Sequence, residues 1–169
     1  KLMNGAQMKI IDTYSIQEVG IPSLVLMERA ALCVTEAVLE KIKKTDKVLC
    51  VCGSGNNGAD GMAVARQLTE RGISAEVYTT AEEGKGTEEL NRQRAILQKL
   101  GIVFVNDIPA GEYNCIIDDV FGIGLSRTIT GRYEQIIEKI NAAIGDAEAK
   151  YKNPRNLCSG SVRQLNSRI

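Results

Sequence analysis

The chain of 169 residues contains no histidine. Catalytic centres of the Ser-His-Asp and Cys-His kinds are therefore excluded. The usual zinc sites are excluded as well, apart from one built from cysteines alone. Any general acid or base in this protein must be a carboxylate, a lysine, a tyrosine or a cysteine.

A charge surplus and long apolar runs are also missing. Lys plus Arg and Asp plus Glu both number 21, so no basic excess draws the chain toward nucleic acid, and an anionic ligand must be held by local geometry. No apolar run approaches the ~20 residues that a membrane helix needs, and no secretory signal is visible. We therefore expect neither a nucleic acid nor a membrane as partner.

The five cysteines, an odd number at irregular spacing, do not resemble a disulfide framework. Cys50 and Cys52 are two residues apart in an apolar run, so in a strand they point to one face. We interpret them as small buried hydrophobic side chains, and a metal or redox role is the alternative. The cysteine pattern predicts a reducing, cytoplasmic environment.

Helical and strand patterns alternate along the chain. Helices are predicted at 6–16, 24–42, 62–71, 88–100 and 132–144, and strands at 47–52, 74–79, 102–105 and 113–118. This alternation predicts a Rossmann-like three-layer αβα sandwich with a mainly parallel sheet, formed by residues 1–144. Residues 145–169 contain no run of three apolar residues, so we predict a divergent or truncated tail in which the C-terminal strands are missing.

A glycine-rich loop follows the first predicted strand. Residues 53–58 match GxGxxG directly after a strand and before a helix, a context that favours phosphate or dinucleotide binding; a tight structural turn is the alternative. Asn56, Asn57 and Asp60 add the oxygen donors that alkali and alkaline-earth ions prefer. The alternative for Asp60 is that it caps the following helix.

The end of the second strand argues against an ordinary NAD dehydrogenase. In a standard Rossmann unit that strand ends in Asp or Glu, which binds the ribose hydroxyls. Here it ends in Thr79 and Thr80, and the first acid, Glu82, falls in the loop beyond. A bound dinucleotide would therefore be held in another way.

A second polar loop, residues 118–127, follows the fourth strand. Asp118 and Asp119 come first, then two glycines and Arg127, which could hold a phosphate; the alternative is a solvated loop with Arg127 paired to an acid. Because adjacent residues of a strand point to opposite faces, Asp118 and Asp119 need not share a site.

These loops carry a family resemblance. Residues 53–61 resemble the GxGNNGGDG signature of the YjeF N-terminal domain family, the NAD(P)H-hydrate epimerases, with Ala59 where a glycine is usual. Residues 118–127 resemble the D-x-x-F-G-x-G-x-x-R segment of that family, and Leu26-Met27-Glu28-Arg29-Ala30 is similar to one of its opening helices. The resemblance spans roughly residues 3–144, with the motifs in the family's order.

The resemblance implies an activity and a ligand set. The family interconverts the R and S forms of NADH and NADPH hydrated at C6 (NADHX and NADPHX), so that a partner NAD(P)HX dehydratase can repair both. It implies a homodimer, and a potassium ion held by Asn57 and Asp118. Substrate would contact Asn56, Asn57, Gly58, Ala59, Asp60, Gly122, Ile123, Gly124, Leu125, Ser126, Arg127 and Thr128. The catalytic residue stays open, with Asp60 and Asp118 as candidates.

The tail departs from the family pattern. The family continues after the fourth helix of the αβ core with a strand and a D-x-P-S-G motif, which supplies a further potassium ligand and a carboxylate close to the substrate. Residues 145–169 contain no such motif, and residues 107–111 match it by letters only, because they precede the fourth strand. A non-catalytic nucleotide-binding or protein-interaction domain is therefore the main alternative, and an NAD-dependent oxidoreductase is a weaker one. The helix predicted at 24–42 either packs on a second copy or covers this chain's own sheet.

Overall fold

The computed structural model describes residues 5–122, 128–144 and 150–152. The elements are α1 (Gly5–Gln17), α2 (Ser23–Leu39), β1 (Lys47–Cys52), α3 (Asn56–Glu70), β2 (Ser74–Thr79), α4 (Glu88–Lys99), β3 (Phe104–Val105), β4 (Cys115–Asp119), α5 (Arg132–Ile144) and β5 (Lys150–Lys152). Helices and strands alternate from α2 to β5, apart from the direct step from β3 to β4.

The five strands form one parallel sheet in the order β3-β2-β1-β4-β5. The chain moves from β1 outward to β3 and then returns to the other side of β1 to form β4. The topological switch point therefore lies between β1 and β4, and ligands of open α/β sheets bind in the crevice beyond the strand ends at such a point. The predicted α/β class with a parallel sheet is confirmed.

Helices cover both faces of the sheet. On one face α2, α3 and α4 pack on Val48, Cys50 and Ile117. On the other face α5 packs on Leu49 and Ile116 through residues such as Ile136 and Ile140. Because helices cover both faces of the sheet, both faces of β1 are buried, which explains its continuous apolar run. The predicted three-layer sandwich is confirmed.

Helix α2 packs on its own domain. Met27, Val34 and Val38 are buried on its inner side. Glu28 binds α3, because Arg66 forms an ion pair with its carboxylate and Gln67 Nε2 donates to its Oε2 at 2.9 Å. Of the two roles predicted for residues 24–42, covering this chain's own sheet is therefore the observed one.

Besides shifts of one to three residues at other element ends, two expectations about the elements were wrong. Helix α3 begins at Asn56 and not at Met62, so the second half of the glycine-rich motif is helical. The sheet also has a fifth strand, since Lys150–Lys152 pairs in parallel with β4, with Ile117 opposite Tyr151. This strand has three residues and lies at the edge of the sheet, so it needs no apolar run that the sequence would reveal.

Polar side chains tie together the central strands near their N-terminal ends. Glu76 of β2 accepts a hydrogen bond from the Tyr113 hydroxyl at 2.6 Å. It also forms an ion pair with Lys47, whose Nζ lies 3.0 Å from Glu76 Oε1. Lys47 Nζ also lies 4.9 Å from the centre of the Tyr113 ring. Burial opposes ionisation of Glu76, but the hydrogen bonds from Tyr113 and Lys47 outweigh it and lower the pKa of the carboxyl.

Within the described residues, no helix has both the length and the apolar character needed to cross a membrane.

Candidate functional site

The glycine-rich loop lies at the switch point of the sheet. Cys52, the last residue of β1, is in register with Asp119, the last residue of β4. The Gly53 N–H donates to the Asp119 carbonyl at 3.0 Å, which fixes the start of the loop against the end of β4. Both motif loops therefore leave the sheet at the same edge, as the parallel topology predicts.

Two glycines of this loop are required by close packing. A Cβ on Gly53 would lie 2.1 Å from the Val120 carbonyl oxygen, and a Cβ on Gly58 would lie 2.0 Å from the Gly53 carbonyl oxygen. A Cβ on Gly55 would have no atom within 4 Å. Gly53 and Gly58 thus allow β1, β4 and α3 to approach each other, whereas the backbone at Gly55 faces open space where a ligand can come close.

The N-terminus of α3 is the polar end of this loop. Gly55 is the N-cap residue and supplies no side-chain cap. Free backbone N–H groups and the positive end of the helix dipole favour an anion there. Asn56 and Asn57 are half-buried, and within the described chain Asn56 Oδ1 and Asn57 Nδ2 have no hydrogen-bond partner.

The remaining motif residues are enclosed. Gly58, Ala59 and Asp60 are buried, and Asp60 is fully so. The interpretation of Asp60 as the helix cap is wrong, since α3 begins four residues before it and its N-cap is Gly55. The accessible part of the motif therefore consists of Ser54, which is exposed, and of Gly55, Asn56 and Asn57, which are half-buried.

The second loop meets the first at Asn57. A Cβ on Gly122 would lie 3.7 Å from Cβ and from Oδ1 of Asn57. Thr128, at the end of this loop, is exposed. The predicted substrate residues Ile123, Gly124, Leu125, Ser126 and Arg127 lie outside the described residues.

Asp118 and Asp119 face opposite sides of the sheet, as predicted. Asp118 Oδ1 accepts a hydrogen bond from the Val120 N–H at 3.2 Å, which orients its carboxylate at the end of β4. Asp119 faces α3, where a Cβ on Gly61 would lie 2.4 Å from Asp119 Oδ2. The missing side chain of Gly61 therefore makes room for the Asp119 carboxyl.

The sequence placed Asp119 in the second polar loop, but its burial and its neighbours were not predicted. Its side chain has no exposed surface, and its two carboxyl oxygens have no hydrogen-bond partner among the described residues. Burial, and then the charges of Asp60 and Asp118, raise the pKa of Asp119 well above its usual value. Strand alternation predicted that Asp119 faces away from Asp118, but only the register of α3 brings it near Asp60.

The cysteines of β1 line the same face. Cys50 and Cys52 are fully buried, and burial raises the pKa of each thiol well above its usual value. All four described cysteines are free, and the described part of the chain contains no group of three His, Cys, Asp or Glu side chains that could hold a metal. The interpretation of Cys50 and Cys52 as buried hydrophobic side chains is confirmed.

Arg94 of α4 supports the end of β2. Its Nη2 donates to the Ala81 carbonyl at 2.7 Å and lies 3.5 Å from Thr79 Oγ1. Thr80 is buried, and the first acid, Glu82, is exposed in the loop. The ribose-binding acid of a dinucleotide dehydrogenase is therefore replaced by two threonines and a buried guanidinium.

The fold and the two loops define a Rossmann-like α/β domain with its polar site at the switch point. A family model described as "YjeF-related protein N-terminus" matches residues 23–154, and the chain belongs to this family.

Relatives with curated names are similar over most of the chain. The NAD(P)H-hydrate epimerase of Limosilactobacillus fermentum is 39% identical over 143 residues, which is 83% of this chain and 68% of the relative. The protein of the same name from Oenococcus oeni is 42% identical over 132 residues, 77% of this chain and 63% of the relative. The chain therefore spans about two thirds of the length of these relatives.

A crystal structure of the yeast protein YNL200c superposes with a TM-score of 0.77 at 21% identity, over 88% of this chain and 68% of the yeast chain. At that identity the likeness supports the fold alone.

Proposed function

We propose that the chain is an isomerase that interconverts the R and S hydrates of NADH and NADPH in nicotinamide nucleotide repair. The observation that carries this proposal is the hydrogen bond from the Gly53 N–H to the Asp119 carbonyl at 3.0 Å, which holds the two family motifs together at the switch point. The relatives named NAD(P)H-hydrate epimerase match across the same motifs. The reaction inverts one carbon centre without net gain or loss of atoms, so it needs no redox cofactor.

In this proposal, different parts of the site bind different parts of the substrate. The N-terminus of α3, which has no side-chain cap, would bind the diphosphate, and the open side of Gly55 would let the backbone approach it. Asn56 and Asn57 present side-chain amides to the rest of the dinucleotide. Ligands bound here lie between the two loops, which would restrict the reacting ring to a small set of orientations.

Potassium belongs to the same proposal. Asn57 and Asp118 would hold the ion, and the donor set fits, because amide and carboxylate oxygens suit a hard cation. When bound, potassium would supply positive charge that helps position the polyanionic substrate. The Val120 N–H holds the Asp118 carboxylate at the end of β4, the edge of the sheet from which both loops leave.

A direct test of potassium binding uses thermal unfolding rather than activity. Potassium chloride should raise the Tm of the protein above its value in an equal concentration of sodium chloride, since a ligand that binds only the folded state stabilises it. Asp118→Asn should remove that difference, and Asp107→Asn, which changes an exposed carboxylate, should keep it. Equal Tm values in the two salts for the unsubstituted protein would contradict the potassium site.

We further propose a homodimer and a functional partnership with an NAD(P)HX dehydratase in the cytoplasm. Helix α1 has no buried residue and exposes Ile10, Tyr14 and Ile16. An isolated helix of 13 residues is marginally stable in water, so it needs a surface on which to pack. Free thiols at the described cysteines suit a reducing compartment.

The activity is tested by coupling it to the dehydratase. The protein is mixed with the R hydrate of NADH, potassium and an S-specific dehydratase, and the recovery of NADH is followed by absorbance. Recovery faster than the spontaneous rate, and lost on Asn57→Ala, is the expected result. A folded protein that binds the hydrate without accelerating its recovery would instead be a nucleotide-binding domain.

A further inference from the structure

The carbonyl groups of the glycine loop are held by protein N–H groups. The Cys52 carbonyl accepts from the Thr80 N–H at 2.9 Å, and the Gly55 carbonyl accepts from the Ala59 N–H at 3.2 Å. The first belongs to the neighbouring strand and the second to α3 itself. These acceptors are therefore fixed by elements that the sheet and helix already require.

The Ser54 carbonyl is held differently, by the loop between β2 and α4. It accepts from the Thr87 N–H at 3.2 Å. Gly86 packs against the same oxygen and against the flexible end of Leu90, because a Cβ on Gly86 would lie 2.7 Å from the Ser54 oxygen and 2.6 Å from Leu90 Cδ2. Gly86 also has φ +100°, a conformation that side-chain-bearing residues rarely adopt.

Thr87 is itself anchored to α4. It is the N-cap residue of that helix, and its Oγ1 accepts from the Leu90 N–H at 3.3 Å. Its carbonyl accepts from the backbone N–H and the Nδ2 of Asn91, each at 3.1 Å. The position of the Thr87 N–H is therefore set by a well-formed helix start rather than by the glycine loop.

The orientation of the backbone N–H and carbonyl groups around the site affects the binding of an anionic ligand. A diphosphate is attracted by backbone N–H groups and repelled by carbonyl oxygens, and the effect is strong where water is partly excluded. Ser54 lies directly before Gly55, whose side is open. If the Ser54 carbonyl were released, the peptide that joins it to Gly55 could rotate and present an oxygen to the ligand.

We propose that Gly86 and Thr87 are positioning residues for diphosphate binding, which act by holding the Ser54 carbonyl away from the ligand. The inference rests on the proposed function, because it takes the substrate's diphosphate to bind at the N-terminus of α3. It assigns the β2–α4 loop, where a dinucleotide dehydrogenase would bind ribose, a role in shaping the phosphate site.

The first test compares two glycines of that loop. Gly86→Ala places a methyl group against the Ser54 carbonyl, whereas Gly84→Ala introduces similar backbone strain at φ +73° with no atom within 4 Å. We expect Gly86→Ala to raise the KM for the NADPH hydrate about tenfold or more, with kcat changed by less than about threefold. Gly84→Ala should change neither constant.

The second test removes the hydrogen bond from the other partner. Thr87→Pro deletes the N–H and the side-chain cap, and the φ of −74° at this residue suits proline. Thr87→Ala deletes the cap alone. Only Thr87→Pro should raise the KM, and the inhibition constant of ADP-ribose, which carries the diphosphate without the nicotinamide, should rise in parallel.

The outcomes separate this inference from the proposed function. A folded unsubstituted protein with no epimerase activity would refute the proposed function. Normal activity with unchanged KM and ADP-ribose inhibition in Gly86→Ala and Thr87→Pro would overturn the positioning role alone, as would an equal loss in the two control variants. If both test variants unfold, an ester in place of the Thr87 amide removes only the N–H and decides the question by the same constants.

Discussion

At the scale of single residues, the Asp119 carboxyl is the most constrained group of the site. It is enclosed between β4 and α3, in contact with Gly61 and near Asp60. Ionisation of a carboxyl without solvent and beside another acid is costly, which is why its pKa is raised. Its neutral form fits the space that Gly61 leaves.

The raised pKa of Asp119 predicts a pH-dependent effect on stability. An acid whose pKa is raised by folding contributes stability that is fully present below its unfolded pKa and is lost as pH rises through the folded pKa. Asp119→Asn removes this titration. The free energy of unfolding of the variant, relative to that of the unsubstituted protein, should therefore increase with pH, by up to about 1.4 kcal/mol per pH unit. Urea unfolding at several pH values measures this, and Glu83→Gln at an exposed position serves as control. A constant difference across pH would contradict the burial argument.

Part of the arrangement of Asp118 and Asp119 could be predicted from the sequence. The period of two in a strand correctly predicted that Asp118 and Asp119 face opposite sides. The partners of Asp119 depend on the register of α3 against β4, which is a tertiary property. Asp60 was predicted as an ion ligand, a helix cap, a substrate contact or a catalytic residue, and its complete burial was not foreseen.

At the scale of elements, the packing of α3 against β1 depends on glycines, which have no side chain. Gly58 lies directly on the Gly53 carbonyl, so the first turn of α3 sits tightly against the end of β1. Gly55 is free of such contacts. The two glycines of the same motif should therefore respond differently to substitution.

Gly58→Ala should destabilise the fold by about 3 kcal/mol, because the methyl group overlaps a backbone carbonyl that cannot move away. Gly55→Ala should cost less than about 1 kcal/mol, as expected for Ala in place of Gly at an N-cap, yet raise the KM for the hydrate by narrowing the open side. Chemical unfolding and steady-state kinetics measure the two effects. Similar stability losses in both variants would refute this division of roles.

The Lys47–Glu76–Tyr113 cluster ties β1, β2 and the start of β4. Because the pKa of Glu76 is lowered by its partners, the cluster stabilises the fold above the unfolded pKa of Glu, about 4.3, and this contribution is lost as pH falls through the folded pKa. Glu76→Gln should reduce stability by about 1 kcal/mol at neutral pH and by nearly nothing in acid. Exposed Glu82→Gln is the control, and an equal loss for Glu76→Gln at both pH values would contradict the assignment.

Among the elements, those with strong patterns were predicted well. Strand β1 was visible as a buried apolar run, and α2, α4 and α5 were visible as periodic helices. The start of α3 was placed too late because glycines and asparagines indicate a loop, while here they are the helical residues that permit close approach. Strand β5 carried no sequence signal because backbone pairing with β4 alone defines it.

At the scale of the whole molecule, α1 differs from the other helices because none of its residues is buried. Ile10 is 68% exposed and Tyr14 61%, and Val19 beyond the helix is 57% exposed. Apolar side chains grouped in this way mark an interaction surface. The sequence showed apolar positions here but did not reveal that they stay uncovered.

If α1 forms the dimer contact, charge on its apolar side should separate the copies. Ile10→Glu combined with Tyr14→Glu should shift the protein from dimer to monomer in sedimentation velocity. The free-energy cost of burying the two new carboxylates would exceed the stabilisation that the apolar contact provides. Lys9→Glu, on the same helix, should leave the dimer intact. A monomeric unsubstituted protein would contradict the proposed dimer.

The central claim is that this site epimerises the hydrated nicotinamide ring. It is tested most directly by resolving the two epimers chromatographically after adding the protein to the pure R or the pure S hydrate of NADPH. The account predicts that both mixtures reach the same equilibrium ratio faster than the spontaneous reaction, with Gly55→Ala slower and Gly84→Ala unchanged at low substrate. Epimer ratios that change only at the spontaneous rate in the presence of folded protein and potassium would contradict it.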